Sequence, residues 1–228
     1  MKVGRRVFVT GGSAGIGLAT ARALAARGDQ VFICGRDAAR LAATGLPGAV
    51  CDVRDAAQVA RVTAAAAERL GGIDTLVNSA GIAWITPFAE ITPEKFSDIL
   101  AVNLAGTFNA CHAALPYLTE AARHGPADVV NLGSRSGRYA FKGGVGYNTT
   151  KFGLQGFTEA LFLDLAPSGI RVGLVAPGTV ATGLGGTAPE PWHLAPEDVA
   201  HAILAMLDAD RRASLNWIEL RPARPGGA

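Results

Sequence analysis

Short apolar runs rich in β-branched residues alternate with Ala- and Leu-rich stretches of helical length from the first residues to about Ala176, and this alternation restricts the fold more than any other feature. A strand buried on both faces needs helices above and below it, so the order reads as βα units feeding a parallel sheet. The candidate strands are Val7 to Thr10, Val31 to Cys34, Ala49 to Val53, Thr75 to Asn78, Asp128 to Leu132, Arg171 to Val175 and Trp217 to Leu220. Helical stretches lie around Ile16 to Ala26, Ala56 to Leu70, Phe96 to Ala122, Val145 to Ala166 and Glu197 to Leu207, each bounded by Gly, Pro, Ser or Asp. Seven strands make one sheet, and 228 residues suit one α/β domain better than two. No break in composition and no fixed repeat divides the chain.

Composition narrows the classes. Apolar residues make up 49% and charged ones 18%, the profile of a globular chain. The net charge of +2 comes from scattered Lys and Arg, without the basic stripe a nucleic-acid surface needs; Arg5 and Arg6 read as solvated. Cys34, Cys51 and Cys111 are odd in number and set in apolar surroundings, as free thiols in a reducing compartment are. Met1 to Arg6 leads into no long apolar segment, and no later stretch has the ~18 apolar residues of a membrane span, so a cytoplasmic protein is expected. His112, His124, His193 and His201 share no metal-ligand spacing with each other or with the cysteines, so no metal site is expected.

Thr10, Gly11, Gly15 and Gly17 follow the first strand and open the first helix. Glycines there let the backbone turn tightly and approach a pyrophosphate, whose charge then sits on the helix N-terminus. Three glycines at fixed offsets arise by chance in roughly half of chains this rich in Gly, so the strand before and the helix after carry the argument; the alternative is a plain turn. The second strand ends in Cys34, Gly35 and Arg36, where a dinucleotide fold reads the adenosine ribose. An NAD site wants a carboxylate at that point. A glycine that leaves room and an arginine that can bond a 2′-phosphate favour NADP, against the alternative of an ordinary surface arginine.

Tyr147 and Lys151 lie four apart on one helix face. A random Tyr to Lys match at that offset is expected only about 0.05 times in this chain, so chance explains the pair poorly. A phenol of pKa ~10 needs its anion stabilised to act near neutrality, and an ammonium ~5 Å away contributes about 3 kcal/mol at an effective dielectric of 20, roughly two pKa units downward. Ser134 stands just after the fifth strand, where a hydroxyl can bind a substrate oxygen beside the tyrosine; a turn serine is the alternative. Asn103 sits in an otherwise apolar helical stretch, Ala101 to Ala105, where an amide is unfavourable unless it has hydrogen-bonding work to do, in catalysis or as a satisfied core amide.

TGGSAGIG at Thr10 to Gly17, NSAG at Asn78 to Gly81, Asn103, Ser134, YNTTK at Tyr147 to Lys151 and PGTVAT at Pro177 to Thr182 stand in an order and spacing that resemble the short-chain dehydrogenase/reductase family over essentially the whole chain. The resemblance implies a Rossmann-like, doubly wound, three-layer αβα fold around a seven-stranded parallel sheet. It implies Tyr147 as general acid or base, Lys151 lowering its pKa and holding the nicotinamide ribose, Ser134 orienting the substrate carbonyl, and Asn103 holding a water behind Lys151. On the cofactor side it implies that the turn holding Gly11, Ser13, Ala14, Gly15, Ile16 and Gly17 cradles the pyrophosphate. Asp52 and Val53 would meet adenine, Asn78, Ala80 and Gly81 the adenosine ribose, and Pro177, Gly178, Val180 and Thr182 the carboxamide end. A homo-oligomer, dimer or tetramer, is implied as well.

Two departures stand out: Ser79 replaces the family's usual second Asn, and the stretch after Thr182 is short. Thr182 to Ala195, rich in Gly and Pro and holding Trp192 and His193, reads as a short substrate lid or a plain linker, and the tail from Pro222 to Ala228 as frayed. Tyr139 and Ser136 imitate the catalytic pair but stand at the wrong offset from Lys151. The expected activity is interconversion of a small-molecule carbonyl and alcohol with NADP(H). The alternatives are a 3-oxoacyl-carrier reductase, with Arg135, Arg138 and Lys142 meeting the carrier's phosphate, and a non-catalytic NADP sensor on the same fold. Trp84, Ile85, Phe88, Tyr139, Phe141, Leu184 and Trp192 are candidate walls for an apolar or ring-bearing substrate.

Overall fold

The computed structural model describes residues 4–186 and 188–224. Seven parallel strands form one sheet: β1 (Arg6–Thr10), β2 (Gln30–Gly35), β3 (Gly48–Val50), β4 (Thr75–Asn78), β5 (Ala127–Leu132), β6 (Ile170–Pro177) and β7 (Trp217–Leu220). They lie in the order β3-β2-β1-β4-β5-β6-β7. The chain winds outward from β1 to β3, then returns to add β4 on the other side, so a crevice opens between β1 and β4 at the C-terminal strand ends. Register brings Thr10 beside both Cys34 and Asn78 at that edge.

Helices cover both faces. On one, α1 (Gly15–Ala26), α2 (Ala38–Ala43) and α7 (Pro196–Asp208) bury Leu24, Leu41 and Ile203 against Val7, Val9 and Ile33. On the other, α3 (Ala56–Leu70), α5 (Gly106–Ala122) and α6 (Val145–Leu165) pack Val59, Leu118 and Phe157 against Phe8, Leu76 and Val129. α4 (Pro93–Leu100) leads into α5. Local chemistry marks several starts: Asp37, Asp55 and Thr92 each accept a backbone N–H as N-caps, and Pro93 and Pro196 occupy first turns.

The sequence expectations need four corrections. The stretch Phe96 to Ala122 is not one helix: α4 starts at Pro93, and a π-helical turn over Ala101–Ala105 separates it from α5. One wider turn leaves the apolar periodicity nearly intact, which hides it from pattern reading. The third strand is Gly48–Val50, because after Cys51 donates its N–H to the Gly35 carbonyl the chain turns away toward the Asp55 cap, leaving Asp52 and Val53 outside the ladder. α2 was not foreseen. Arg5 and Arg6 are not solvated: Arg5 pairs with Asp128 at 2.6 Å and Arg6 with Asp74 at 3.2 Å. Arg171 closes a triad on Asp128 at 2.7 Å.

The stretch from Thr182 is an irregular loop with its own order. Leu184–Gly186 forms one 3-10 turn, Val180 bridges to Leu194, and the Trp192 indole donates to Glu190. Of the expected frayed tail, Pro222 to Arg224 is irregular, and the rest lies outside the described residues.

Candidate active site

Gly11 shows why the first turn must be glycine-rich. Its φ is +66°, and an added Cβ would stand 2.7 Å from the Ala80 backbone, so the β1 turn and the β4 turn close to main-chain contact. A side chain at Gly17 would in turn strike the Gly11 carbonyl. Beside this cradle lies a cavity of about 610 Å³ walled by Gly11, Ser13, Gly35, Arg36, Asp37, Arg40, Cys51, Asp52, Val53, Ala80, Gly81, Ile82 and Val102. Seven of the foreseen cofactor residues are among these, and Arg40 is one the sequence reading missed. No signal in the sequence marks it, because α2, which carries it, is too short to show a periodic pattern.

The Arg54 guanidinium bonded to Asp52 holds that carboxyl below the ordinary carboxylate range, with the Arg36 charge a minor addition, and Arg36 makes no ion pair among the described residues. Asp37, the nearest carboxylate to the end of β2, caps α2 and pairs with Arg40 at 3.3 Å. A main-chain cradle that any Cβ would fill, next to two arginines, fits the phosphates of a nicotinamide dinucleotide.

The remaining foreseen cofactor residues are placed differently. Ala14 precedes α1 and Ile16 packs into the core. Thr182 reaches back over the turn, its Cγ2 3.2 Å from where a Cβ on Gly15 would be. Pro177 ends β6, the Gly178 N–H bonds the Leu220 carbonyl, and Val180 bridges to Leu194. The Asn78 side chain does not wall the cavity; it is buried, donating to Asn131 Oδ1 at 2.9 Å and to Cys111 Sγ.

Toward β5 and α6 the second cluster comes together. Gly133 bonds back to Val175, and Ser134 follows at the sheet edge, buried, its Oγ accepting the Ser136 N–H at 3.0 Å. Tyr147 and Lys151 project from α6 toward it, with Lys151 Nζ 5.6 Å from the Tyr147 ring centre and donating to the Leu132 carbonyl at 2.8 Å. Asn103 stands on the π-helical turn. Its Oδ1 accepts the Ile82 N–H, and its Nδ2 donates to the Ile82 carbonyl and to Thr150 Oγ1, which itself bonds the Tyr147 carbonyl. Asn103 thus joins the β4 loop to α6 with every side-chain hydrogen-bonding group engaged.

Electrostatics overturn one expectation. Burial pushes the Tyr147 phenol above its ordinary value, and a hydrogen bond from Ser134 pulls it only part of the way back. Burial also pushes the Lys151 ammonium down to about 8, where it is still mostly protonated at neutral pH. The ~5 Å Coulomb argument left out desolvation, which acts on both partners in the same interior.

The surrounding loops lie close to one another. A Cβ on Gly185 would meet Ala83 at 3.4 Å and Ile85 at 3.5 Å, and the Thr86 N–H bonds the Gly143 carbonyl. Phe141 lies 6.5 Å from the Tyr147 ring, and Trp84, Ile85, Phe88, Tyr139 and Leu184 leave large apolar surfaces open. Trp192 is turned onto His193 instead. Among the described residues no group of three His, Cys, Asp or Glu could hold a metal ion, and no helix is long and apolar enough to cross a membrane.

Known proteins resemble this chain in sequence and in fold. A family profile described as short chain dehydrogenase matches residues 5–191. A Streptomyces violaceoruber protein assigned as ketoacyl reductase 1 of the granaticin polyketide synthase is 40% identical over 184 residues, 77% of this chain and 67% of its own. D-threitol dehydrogenase of Mycolicibacterium smegmatis is 33% identical over 239 residues, 95% and 90% of the two chains. The X-ray structure of an alcohol dehydrogenase from the archaeon Thermococcus sibiricus, complexed with 5-hydroxy-NADP, superposes with a TM-score of 0.87 at 27% identity, covering 96% of this chain and 97% of that one. Since the profile takes in every strand but β7, together with both clusters described above, the chain belongs to the short-chain dehydrogenase family of oxidoreductases, which act between alcohols and carbonyls.

Proposed function

We propose that this protein is an NADP(H)-dependent reductase of ketones or aldehydes, reversible as an alcohol dehydrogenase, with Tyr147 as general acid and base. The observation that carries the reading is the meeting of the Ser134 hydroxyl, the Tyr147 phenol and the Lys151 ammonium at the sheet edge, beside a glycine-walled cavity that ends in Arg36 and Arg40. When bound, the reduced nicotinamide supplies a hydride to the carbonyl carbon. Ser134 donates a hydrogen bond to the carbonyl oxygen, and Tyr147 gives that oxygen its proton as charge develops there. Lys151 holds positive charge beside the phenolate left behind, and Asn103 fixes the β4 loop against α6 so that both sides of the cleft keep one geometry.

Arg36 and Arg40 bind the 2′-phosphate, Gly11 to Gly17 the pyrophosphate, and Asp52, Val53, Ala80 and Gly81 the adenosine. Pro177, Gly178, Val180 and Thr182 form the nicotinamide side, while Asn78 supports the ribose site from behind through Asn131. The apolar rim suits an apolar or ring-bearing substrate. A second reading, reduction of a 3-oxoacyl thioester on a carrier, is favoured by the ketoacyl reductase name of the Streptomyces relative; of the basic residues near Ser134, Arg135 pairs with Glu219 and Arg138 lies over the Trp217 ring. The protein acts in the cytoplasm as a homo-oligomer. A panel of ketones, aldehydes and 3-oxoacyl thioesters, followed by loss of reduced-nicotinamide absorbance with NADPH and with NADH, tests these readings together. Turnover of no carbonyl class with either cofactor would sink them.

A further inference from the structure

Asn148 has no part in the chemistry described so far, yet it is only 7% exposed and makes three side-chain bonds to one loop. We propose that Asn148 is a positioning residue: it fastens the loop that carries Ser134 to the helix that carries Tyr147, and so fixes the two hydroxyls relative to each other. The inference rests on the reading of Ser134 and Tyr147 given above.

The loop leaves β5 at Gly133 and enters α6 after Gly144. Its two ends are tied to the sheet and to the β4 loop, by the Gly133 N–H to the Val175 carbonyl and the Thr86 N–H to the Gly143 carbonyl, while the backbone bonds between are short-range, from the Gly137 N–H to the Ser134 carbonyl, Tyr139 to Arg135 and Gly144 to Phe141. Bonds of that span shape a turn without fixing its distance from α6. Asn148 supplies the missing link. Its Nδ2 donates to the Ser136 carbonyl at 2.8 Å and to the Tyr139 carbonyl at 3.4 Å, while its Oδ1 accepts the Phe141 N–H at 3.4 Å. Ser136 then gives its own N–H to Ser134 Oγ at 3.0 Å. The path from Asn148 to the Ser134 hydroxyl therefore runs through one residue, held at its carbonyl from α6 and at its N–H from the serine.

Two glycines show how closely the loop sits. A Cβ at Gly137 would stand 2.7 Å from the Lys151 carbonyl, and one at Gly144 would strike Asn148 Oδ1. Asn148 follows Tyr147 on α6, about 100° round the helix, so the two move as parts of one rigid element. The task requires an amide. It donates to carbonyls from one end and accepts an N–H at the other, whereas an aspartate of the same shape has no donor for the carbonyls of Ser136 and Tyr139.

The test uses the purified enzyme with NADPH and a ketone it reduces, comparing Asn148→Ala, Asn148→Asp and Ser134→Ala with the Ser134→Ala/Asn148→Ala double variant. The expected result is a kcat lower by ~10 to 100-fold in both Asn148 variants, with KM for NADPH within ~3-fold of the parent. The high-pH limb of kcat moves upward, because a displaced Ser134 no longer stabilises the phenolate. The double variant is no slower than Ser134→Ala alone, since the second substitution acts only through the first residue. Additive losses, or an Asn148→Ala enzyme with parental kcat and pH profile, overturn the proposal. If neither Asn148 variant folds, Asn148→Ser, whose hydroxyl ends short of the loop carbonyls, takes its place in the same cycle. Tyr147→Phe separates the two levels: full turnover in that variant brings down the site reading and this proposal together, whereas its inactivity beside an additive cycle removes only the role of Asn148.

Discussion

Replacing Tyr147 by Phe keeps the ring against Phe141 and removes only the hydroxyl, so turnover should fall at least ~100-fold while circular dichroism and melting stay near the parent's. Retained turnover would show that the proton comes from elsewhere. Lys151 offers a pH test with a definite sign. It titrates at about 8 in the folded chain against an ordinary 10.5, so between those values the unfolded chain holds a proton that the folded one has lost. Stability contributed by this group therefore rises with pH across that window, and below it the full penalty of burying the ammonium applies. Lys151→Met should lose activity yet be more stable than the parent near neutrality, by a few kcal/mol at most, and should lack this rise in alkaline denaturation series. At the other end of the site, Arg36→Ala and Arg40→Ala should each lower kcat/KM for NADPH, Arg36→Ala by ~10 to 100-fold, with NADH use nearly unchanged. A parent that already prefers NADH would overturn the assignment of both arginines. Converting the site by Gly35→Asp is less direct, since a Cβ there would stand 2.6 Å from Ser13 Oγ and disturb the cradle itself.

Asp128 joins three strands and a helix end at the opposite edge of the sheet. Arg5 and Arg171 both bond its carboxylate and both reach the Leu207 carbonyl near the end of α7. Removing the carboxylate by Asp128→Ala leaves two largely buried guanidinium groups without their partner and should cost ~3 to 5 kcal/mol in urea unfolding. Asp74→Ala removes only one ion pair, whose arginine is a third exposed, together with bonds from the Arg6 N–H and the Thr75 hydroxyl, and should cost less, about 1 to 3 kcal/mol. Equal losses in the two variants would contradict this difference in burial. The triad also marks where sequence reading stops. Val7 to Thr10, Val31 to Cys34 and Thr75 to Asn78 were legible because buried parallel strands must be apolar runs. Arg5 beside such a run gives no sign of a carboxylate more than a hundred residues away. α2 is only six residues long, too short for a periodic signal, and the π-helical turn that carries Asn103 changes phase by one residue. That Ser134, Tyr147 and Lys151 lie together was legible from the four-residue Tyr to Lys spacing and from the strand end that carries Ser134. Arg40 and Asn148 were not, since a surface arginine and a helical asparagine gain meaning only from what folds against them. The direction of the Tyr147 shift failed for the same reason: charge can be counted along a chain, and burial cannot.

The outer faces of α5 and α6 bear on the whole assembly. Phe152 and Leu163 are eleven residues apart, three turns of helix, and so stand on one side of α6; they are 47% and 71% exposed. Phe108 on α5, 53% exposed, stacks on His112 one turn further along. Helices whose inner sides already pack on the same face of the sheet therefore also present large apolar groups outward. Water-facing apolar patches of this kind mark interaction sites, and two copies of a two-helix face can cover each other by forming a four-helix contact. The expected result is a dimer or tetramer by light scattering at micromolar concentration. Phe152→Glu/Leu163→Glu should shift it toward a smaller species, because two carboxylates and their symmetry mates would face one another across the contact. Ser134, Tyr147 and Lys151 lie at the sheet edge away from this outer stripe, so the dissociated form should still bind NADPH. An unchanged mass in the double variant, or a parent that is monomeric throughout, would place the covering of this face elsewhere.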